Sequence, residues 1–300
     1  MLKVAFRDEY AHPLPSNHRF PMEKYDLLPK QLLHEGTLST DQFFAPDITN
    51  SELIARVHEP AYIRRLFGLQ LTEREQRISG FPHTKELIDR ESYIMEGTRR
   101  CAEYALETGG AMNIAGGTHH AYSDRGEGFC LLNDQAIACR WLLDEGHVNK
   151  ILIVDLDVHQ GNGTAEIFEN DPDVFTFSMH GENNYPLKKE RSDLDIGLAD
   201  GIKDKEYIHL LERSINYILK EFEPDFVFYQ CGVDIIETDT LGRLGVSMHG
   251  CRERDRIVFE MVRQLRVPVV CTMGGGYSRD IRHILEAHAN TFRSAQEILF

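Results

Sequence analysis

Apolar residues recur along the chain in two rhythms. Short β-branched and aromatic runs occupy Lys3–Phe6, Ala111–Ala115, Ile151–Asp157, Val174–Met179, Phe226–Gln230 and Val267–Thr272. They have strand length and no polar face, the pattern of strands buried on both sides. Longer amphipathic stretches separate them, at Thr84–Glu107, Asp134–Glu145, Asp204–Phe222, Ser247–Gln264 and Arg279–Gln296. The last carries Ile281, Ile284, Leu285 and Phe292 on a helical stripe. Such alternation predicts an α/β fold with a central, mostly parallel sheet and helices on both faces. Gly68–His83 reads as a surface loop. No repeat, low-complexity tract or interdomain linker interrupts the pattern, so residues 1–300 are expected to form a single domain.

Open parallel sheets gather ligands beyond the carboxyl ends of their strands, so the residues following each strand carry the functional signal. Ala111–Ala115 leads into Gly116-Gly117-Thr118-His119-His120. Ile151–Asp157 runs on through Val158 and His159 to Gln160-Gly161-Asn162-Gly163. Phe226–Gln230 leads to Cys231-Gly232-Val233-Asp234, and Val267–Thr272 to Gly274-Gly275-Gly276-Tyr277. Four strand ends deliver histidines, carboxylates and a tyrosine behind glycines.

Alternate strand residues share a face, which puts Asp155, Asp157 and His159 on one side. Bare carboxylates in a doubly covered strand require a compensating cation. With same-face residues ~6.6 Å apart, one metal ion is within reach of Asp157 and His159. Asp155 lies too deep for that ion and needs another partner, a histidine or a second cation. Asp234 is the natural third ligand, or else a helix N-cap. His119 and His120 can supply a base for water and an acid for a leaving amine. Tyr277 presents a phenol on a glycine turn, unless it lies over the sheet edge.

Composition narrows the setting. The 33 Lys+Arg against 48 Asp+Glu give a net charge of −15, which argues against nucleic-acid binding and suits a cationic partner or simply solubility. No apolar run approaches a membrane span, and the N-terminal stretch meets Arg7, Asp8 and Glu9 too early for a signal peptide. A cytoplasmic protein is expected. Cys101, Cys130, Cys139, Cys231, Cys251 and Cys271 lie scattered without a C-x-x-C pair, as for buried thiols in a reducing compartment.

Several familiar motifs fail. Gly161-x-Gly163 has Glu166 where a dinucleotide loop requires glycine, His58-Glu59 lacks the second histidine of a zincin, and Gly245-Val246-Ser247-Met248-His249 lacks the closing glycine of a nucleophile elbow. The motifs that remain resemble the histone deacetylase superfamily, within the arginase-like α/β fold, and most of all its class IV branch. The resemblance rests on Gly116–His120, Asp124-Arg125-Gly126-Glu127-Gly128-Phe129-Cys130, Ile153–Gly163, Gly232-Val233-Asp234-Ile235, Asp239-Thr240-Leu241-Gly242 and Gly274–Tyr277, in family order.

That resemblance implies a zinc ion, or Fe²⁺ or Co²⁺ in its place, held by Asp157, His159 and Asp234 with an open position for water and substrate. It makes His120 the general base and acid, held by Asn162 where many members have aspartate. His119 becomes its electrostatic partner, oriented by Asp155, and Tyr277 the donor to the substrate carbonyl. Gly128, Phe129, Tyr185, Gly275 and Gly276 would line an acyl-lysine tunnel. Asp155, Asp157, His159, Ser178 and Met179 match a monovalent-cation site, taken as K⁺. The comparable loop of class I enzymes carries a substrate-orienting acid, but Ser79-Gly80-Phe81-Pro82-His83-Thr84 has none. The implied activity is zinc-dependent removal of acetyl or longer acyl groups from the lysine ε-amine. Alternatives are a deacetylase of a small cationic metabolite such as an acetylpolyamine, or a non-catalytic acyl-lysine binder. A binuclear manganese ureohydrolase would need further bridging aspartates than the Asp157-Val158-His159 segment provides.

Overall fold

The structure is a computed structural model that describes all 300 residues. Eight strands form one sheet: β1 (Lys3–Ala5), β2 (Phe43–Phe44), β3 (Gly110–Asn113), β4 (Ile151–Asp155), β5 (Val174–Gly181), β6 (Leu194–Leu198), β7 (Phe226–Gln230) and β8 (Val269–Thr272). Their order is β2-β1-β3-β8-β7-β4-β5-β6, and every pairing is parallel. The helices are α1 (Lys24–His34), α2 (Ser51–Ile54), α3 (Pro60–Phe67), α4 (Glu73–Ser79), α5 (Lys85–Thr108), α6 (Asp134–Asp144), α7 (Asn162–Phe168), α8 (Asp204–Glu221), α9 (Met248–Leu265) and α10 (Ile281–Leu299).

Both faces of the sheet are covered, as strands without a polar face require. Ile151, Ile153, Phe226 and Phe228 pack with Cys101, Ala102 and Ala105 of α5 and Ala136, Cys139 and Leu142 of α6. Their strand neighbours Leu152, Val154, Val227 and Tyr229 point the other way, into a core with α8, α9 and α10. All six cysteines are buried free thiols. No helix is long and apolar enough to cross a membrane.

The ends of β3, β8, β7 and β4 deliver the chemistry-bearing segments. In sheet order these are four consecutive neighbours, so their carboxyl ends open onto one edge.

The six strands and five helices expected from the pattern are present, with ends shifted by a few residues. The expected strand at 151–157 stops at Asp155, whose ladder partners are Gln230 and Ser178. Asp157 and His159 therefore sit in the loop beyond β4, placed by that loop rather than by strand alternation. Gly68–His83 is not a simple surface loop. It contains α4, closed at its start by Thr72 and Glu75, which bond each other's backbone, and at its end by Gly80 at φ 83°. The following Phe81 is 2% exposed and packs on the rings of Phe20 and Phe129. The edge strands β2 and β6 and helices α1, α2, α3 and α7 had no distinct signal, being short or, for α1, interrupted by Pro29.

One buried ionic network ties this edge to the helices behind it. Arg254 and Asp255 on α9 are fully buried and pair at 2.7 Å. Arg254 donates to the carbonyls of Leu156, Cys231 and Gly232, at the ends of β4 and β7. Asp255 accepts from Tyr229 on β7 at 2.5 Å and Thr291 on α10 at 2.7 Å. Removing one member of such a pair strands the other's charge, at a cost of about 3–5 kcal/mol. Arg254→Met is expected to lose stability of that order, read as a lower urea midpoint.

Candidate active site

The segment after β3 is shaped by a residue the sequence reading passed over. Asp134, the first residue of α6, is fully buried, and its Oδ1 accepts from the N–H groups of Gly117 and Thr118 at 3.0 and 2.8 Å. Gly116 and Gly117 take φ of 79° and 76°, a conformation that glycine adopts without a Cβ penalty. A Cβ on Gly116 would also strike the Asp134 carboxylate. This turn points His119 and His120 at the strand edge. Beneath it, Gln230 at the end of β7 donates to Gly117 O and accepts from Thr272 at the end of β8, both at 2.8 Å.

The two histidines have different partners. His119 Nδ1 lies 2.6 Å from Asp155 Oδ2, so the deep carboxylate has the histidine partner that was one of its two options. Burial works to lower the His119 pKa, but Asp155 and then Asp157 outweigh it and hold the ring above its usual value. His120 Nδ1 lies 2.6 Å from Asn162 Oδ1, on the first turn of α7. Burial, then the charges of His119 and His159, pushes His120 well below the usual value. The Asn162 amide nitrogen donates to Tyr122 Oη at 3.0 Å, which leaves its oxygen to accept from His120. The Nδ1 proton is therefore fixed and Nε2 keeps its lone pair.

Asp157, His159 and Asp234 meet beside this pair, with one ligand atom from each all within 4.8 Å of one another. Asp157 Oδ1 is 3.0 Å from His159 Nδ1, and its Oδ2 accepts from Gly275 N at 2.8 Å. Asp234 Oδ1 accepts from Val158 N at 2.9 Å. Asp234 Oδ2 stands 3.2 Å from His159 Nδ1 but off the hydrogen-bonding direction, so this buried oxygen accepts no bond. Two carboxylates around one imidazole leave the cluster short of positive charge. Burial, followed by the charge of Asp157, pushes the Asp234 carboxyl up to about 7. An orphaned carboxylate oxygen, a charge deficit and an Asp₂His donor set all fit a divalent cation.

Glycines bring the backbone close. A Cβ on Gly275 would strike Asp234 Oδ2 and stand 2.8 Å from Asp157 Oδ2. Tyr277 follows on the same turn, its N–H held by Asp239 Oδ2 at 2.6 Å. Its ring lies 6.2 Å from that of His159, over the pocket rather than the sheet edge. Burial, then Asp234 and Asp157, raises its phenol well above the ordinary value, which keeps it protonated and able to donate.

Gly128, Phe129 and Tyr185 form the outer wall. The Tyr185 ring meets His120 edge-on at 4.9 Å, and its hydroxyl donates to Glu127 at 2.5 Å. A Cβ on Gly128 would stand 2.6 Å from His120 Cδ2. Gly275 belongs to the floor, against the carboxylates, rather than to the wall. Gly276 does not line the pocket: its Cβ position faces Val233, Ile284 and His288. Ser178 lies beside Asp155 across the β4–β5 ladder, with Met179 next to it, and the Ser178 hydroxyl is 2.9 Å from His180 Nδ1. His58, rejected as a zincin motif, brackets the Tyr122 carbonyl and the Asn133 amide. Asp134, Gln230 and Arg254 went unread because none carries a motif: Gln230 closes an apolar strand, Asp134 sits between Asn133 and Gln135, and Arg254 lies in the charged run 252–256, which reads as an exposed helix face. Asp239 had appeared only as part of a motif, without a role.

Comparison with known proteins agrees with this geometry. The histone deacetylase domain model matches residues 18–292. An uncharacterized protein from Picosynechococcus is 42% identical over 98% of each chain. A probable deacetylase from Archaeoglobus fulgidus is 30% identical, over 92% of this chain and 81% of its own. The crystal structure of a histone deacetylase homolog from Aquifex aeolicus has the same fold, with a TM-score of 0.83, 23% identity, and coverage of 98% of this chain and 83% of that one. The chain belongs to the histone deacetylase family and is a hydrolytic deacetylase.

Proposed function

We infer that this protein is a zinc-dependent deacylase of the lysine ε-amine, working at the Asp157–His159–Asp234 cluster. The observation that carries the reading is a single juxtaposition. A buried, charge-deficient Asp₂His cluster with a free carboxylate oxygen faces a neutral imidazole and a protonated phenol.

Asp157, His159 and Asp234 would hold the zinc, and Fe²⁺ or Co²⁺ suits the same donors. A zinc ion held there would supply Lewis acidity toward the substrate carbonyl and toward the water that attacks it. His120, neutral and with Nε2 free, takes the proton of the attacking water and passes it to the departing amine. Asp155 holds the His119 pKa above its usual value, and positive charge on that ring helps keep His120 deprotonated beforehand. Asn162 in place of a carboxylate does the same, because it orients the ring without adding negative charge. Tyr277 donates to the oxygen on which negative charge develops. By the same family resemblance, Asp155, Asp157, His159, Ser178 and Met179 would hold a potassium ion; Ser178 standing beside Asp155 across the β4–β5 ladder supports that reading.

The substrate assignment has its own support. The mouth is lined by Arg19, Arg243, Leu187, Leu241 and Tyr185, and no carboxylate lines it. A polyamine's remaining ammonium groups would meet Arg19 there, beside an Arg243 that is paired with Asp200, whereas an acylated lysine presents an uncharged amide on an aliphatic stem. Gly128, Phe129 and Tyr185 wall the approach to His120, where that stem would lie.

The test is a screen of the zinc-loaded enzyme against lysine peptides of graded acyl length alongside acetylputrescine. Turnover of acyl-lysine well above acetylputrescine is expected, and the reverse order would assign the enzyme to polyamines. Tyr277→Phe should lower turnover by about 10²–10³ while elemental analysis finds the zinc content unchanged. Gly275→Ala should do the opposite kind of damage. Its methyl group presses on both carboxylates, so zinc content itself falls along with activity.

A further inference from the structure

Lys24 is the only lysine in the chain with no exposed surface. Its Nζ donates to the carbonyl of Gly274 at 3.0 Å and otherwise faces the rings of Phe20, Tyr25 and Tyr277, at 5.3, 5.4 and 5.7 Å. No carboxylate pairs with it directly. It is also the first residue of α1, where the helix dipole disfavours a cation. A buried ammonium without an ion-pair partner, at the wrong end of a helix, is doubly unfavourable on local grounds. Its charge must be balanced at longer range.

The nearest surplus of negative charge is the carboxylate pair of the cluster. Gly274, the acceptor of the Lys24 bond, belongs to the turn that lies on those carboxylates. A Cβ at Gly274 would stand 3.1 Å from Asp157 Oδ2, and the next residue's N–H donates to that same oxygen at 2.8 Å. Lys24 thus stands behind a thin glycine layer, with Asp157 and Asp234 in front of it and Tyr277 beside it. Burial lowers the Lys24 pKa to about 8, with Asp234 and then Asp157 opposing the fall.

We propose that Lys24 is an electrostatic positioning residue, a fixed positive charge behind the Gly274–Tyr277 turn that weakens the carboxylates' hold on the metal and favours negative charge on the substrate oxygen. It rests on the metal-hydrolase reading above. Like charges repel, so the ammonium costs the site metal affinity. The same field stabilises the oxyanion that forms beside Tyr277, where a charge fixed in advance needs no reorganisation. Affinity and turnover are therefore traded against each other, which a merely structural lysine would not do.

The experiment compares Lys24→Met, Lys24→Gln and Lys24→Arg with the native protein. Zinc affinity is measured by chelator competition, and kcat and KM with an acetyl-lysine peptide. Both neutral variants should bind zinc about tenfold more tightly, the scale of a one-unit electrostatic perturbation between buried groups. Their kcat should fall by about tenfold with KM changed by less than about twofold. Lys24→Arg should keep native zinc affinity. Lys24→Gln retains a donor for the Gly274 carbonyl without the charge, so it separates tethering from electrostatics. Native or weaker zinc affinity in the neutral variants, whether through misfolding or a displaced turn, overturns the proposal. If the native zinc form turns over no acyl-lysine substrate, the deacylase reading fails, while the affinity comparison still decides the role of the Lys24 charge.

Discussion

Two carboxylates cannot be buried side by side without a cation to share, and the site is arranged around that constraint. Asp157 and Asp234 both lie in the interior, within bonding range of a single imidazole nitrogen. Every other feature of the pocket either supplies them with donors or keeps bulk away from them. The Val158 and Gly275 amides each satisfy one oxygen, and glycines at 232, 274 and 275 let the backbone reach them. What is left over, one oxygen of Asp234 without a bond, is the group that calls for a metal ion.

Holding such a cluster requires a rigid frame, because carboxylates in repulsion separate wherever the chain allows it. The frame is the common edge of four neighbouring parallel strands, β3, β8, β7 and β4. Gln230 and Thr272 cross-link the strand ends, Asp134 fixes the histidine turn, and Arg254 gathers the carbonyls below the two ligand loops. Each of these polar groups is buried and bonded, so together they specify one arrangement rather than an ensemble.

The same low-dielectric interior lets adjacent groups take opposite proton states. His119 and His120 are consecutive and their rings are 4.1 Å apart, yet Asp155 raises one while burial and its neighbour's charge depress the other. A carboxylate in place of Asn162 would narrow that separation. Asparagine keeps the orienting hydrogen bond while leaving the second ring neutral, the state a proton acceptor needs. Lys24 extends this logic to the far side of the Gly274–Tyr277 turn.

Much of this was written in local sequence. Doubly apolar runs such as Ile151–Val154 and Phe226–Tyr229 determined a covered parallel sheet, because a strand without a polar face can be stable only between two helical layers. Histidines, aspartates and glycines directly after those runs marked the edge where chemistry collects. The expected strand through His159 overran, since alternation along a sequence cannot tell where a neighbouring strand stops offering hydrogen bonds. Thr72 and Glu75 announced a helix inside a stretch that looked like loop, and the signal was too short to outweigh its polar surroundings. The pairings of Asp155 with His119 and of Asn162 with His120 were implied by the family resemblance and match the geometry; what only the tertiary structure decided was that Asp234 keeps one oxygen free. It also decided that a lysine 250 positions before Gly274 lies under its carbonyl. Such pairings depend on distances between segments remote in the chain, and those are set by how the whole core packs.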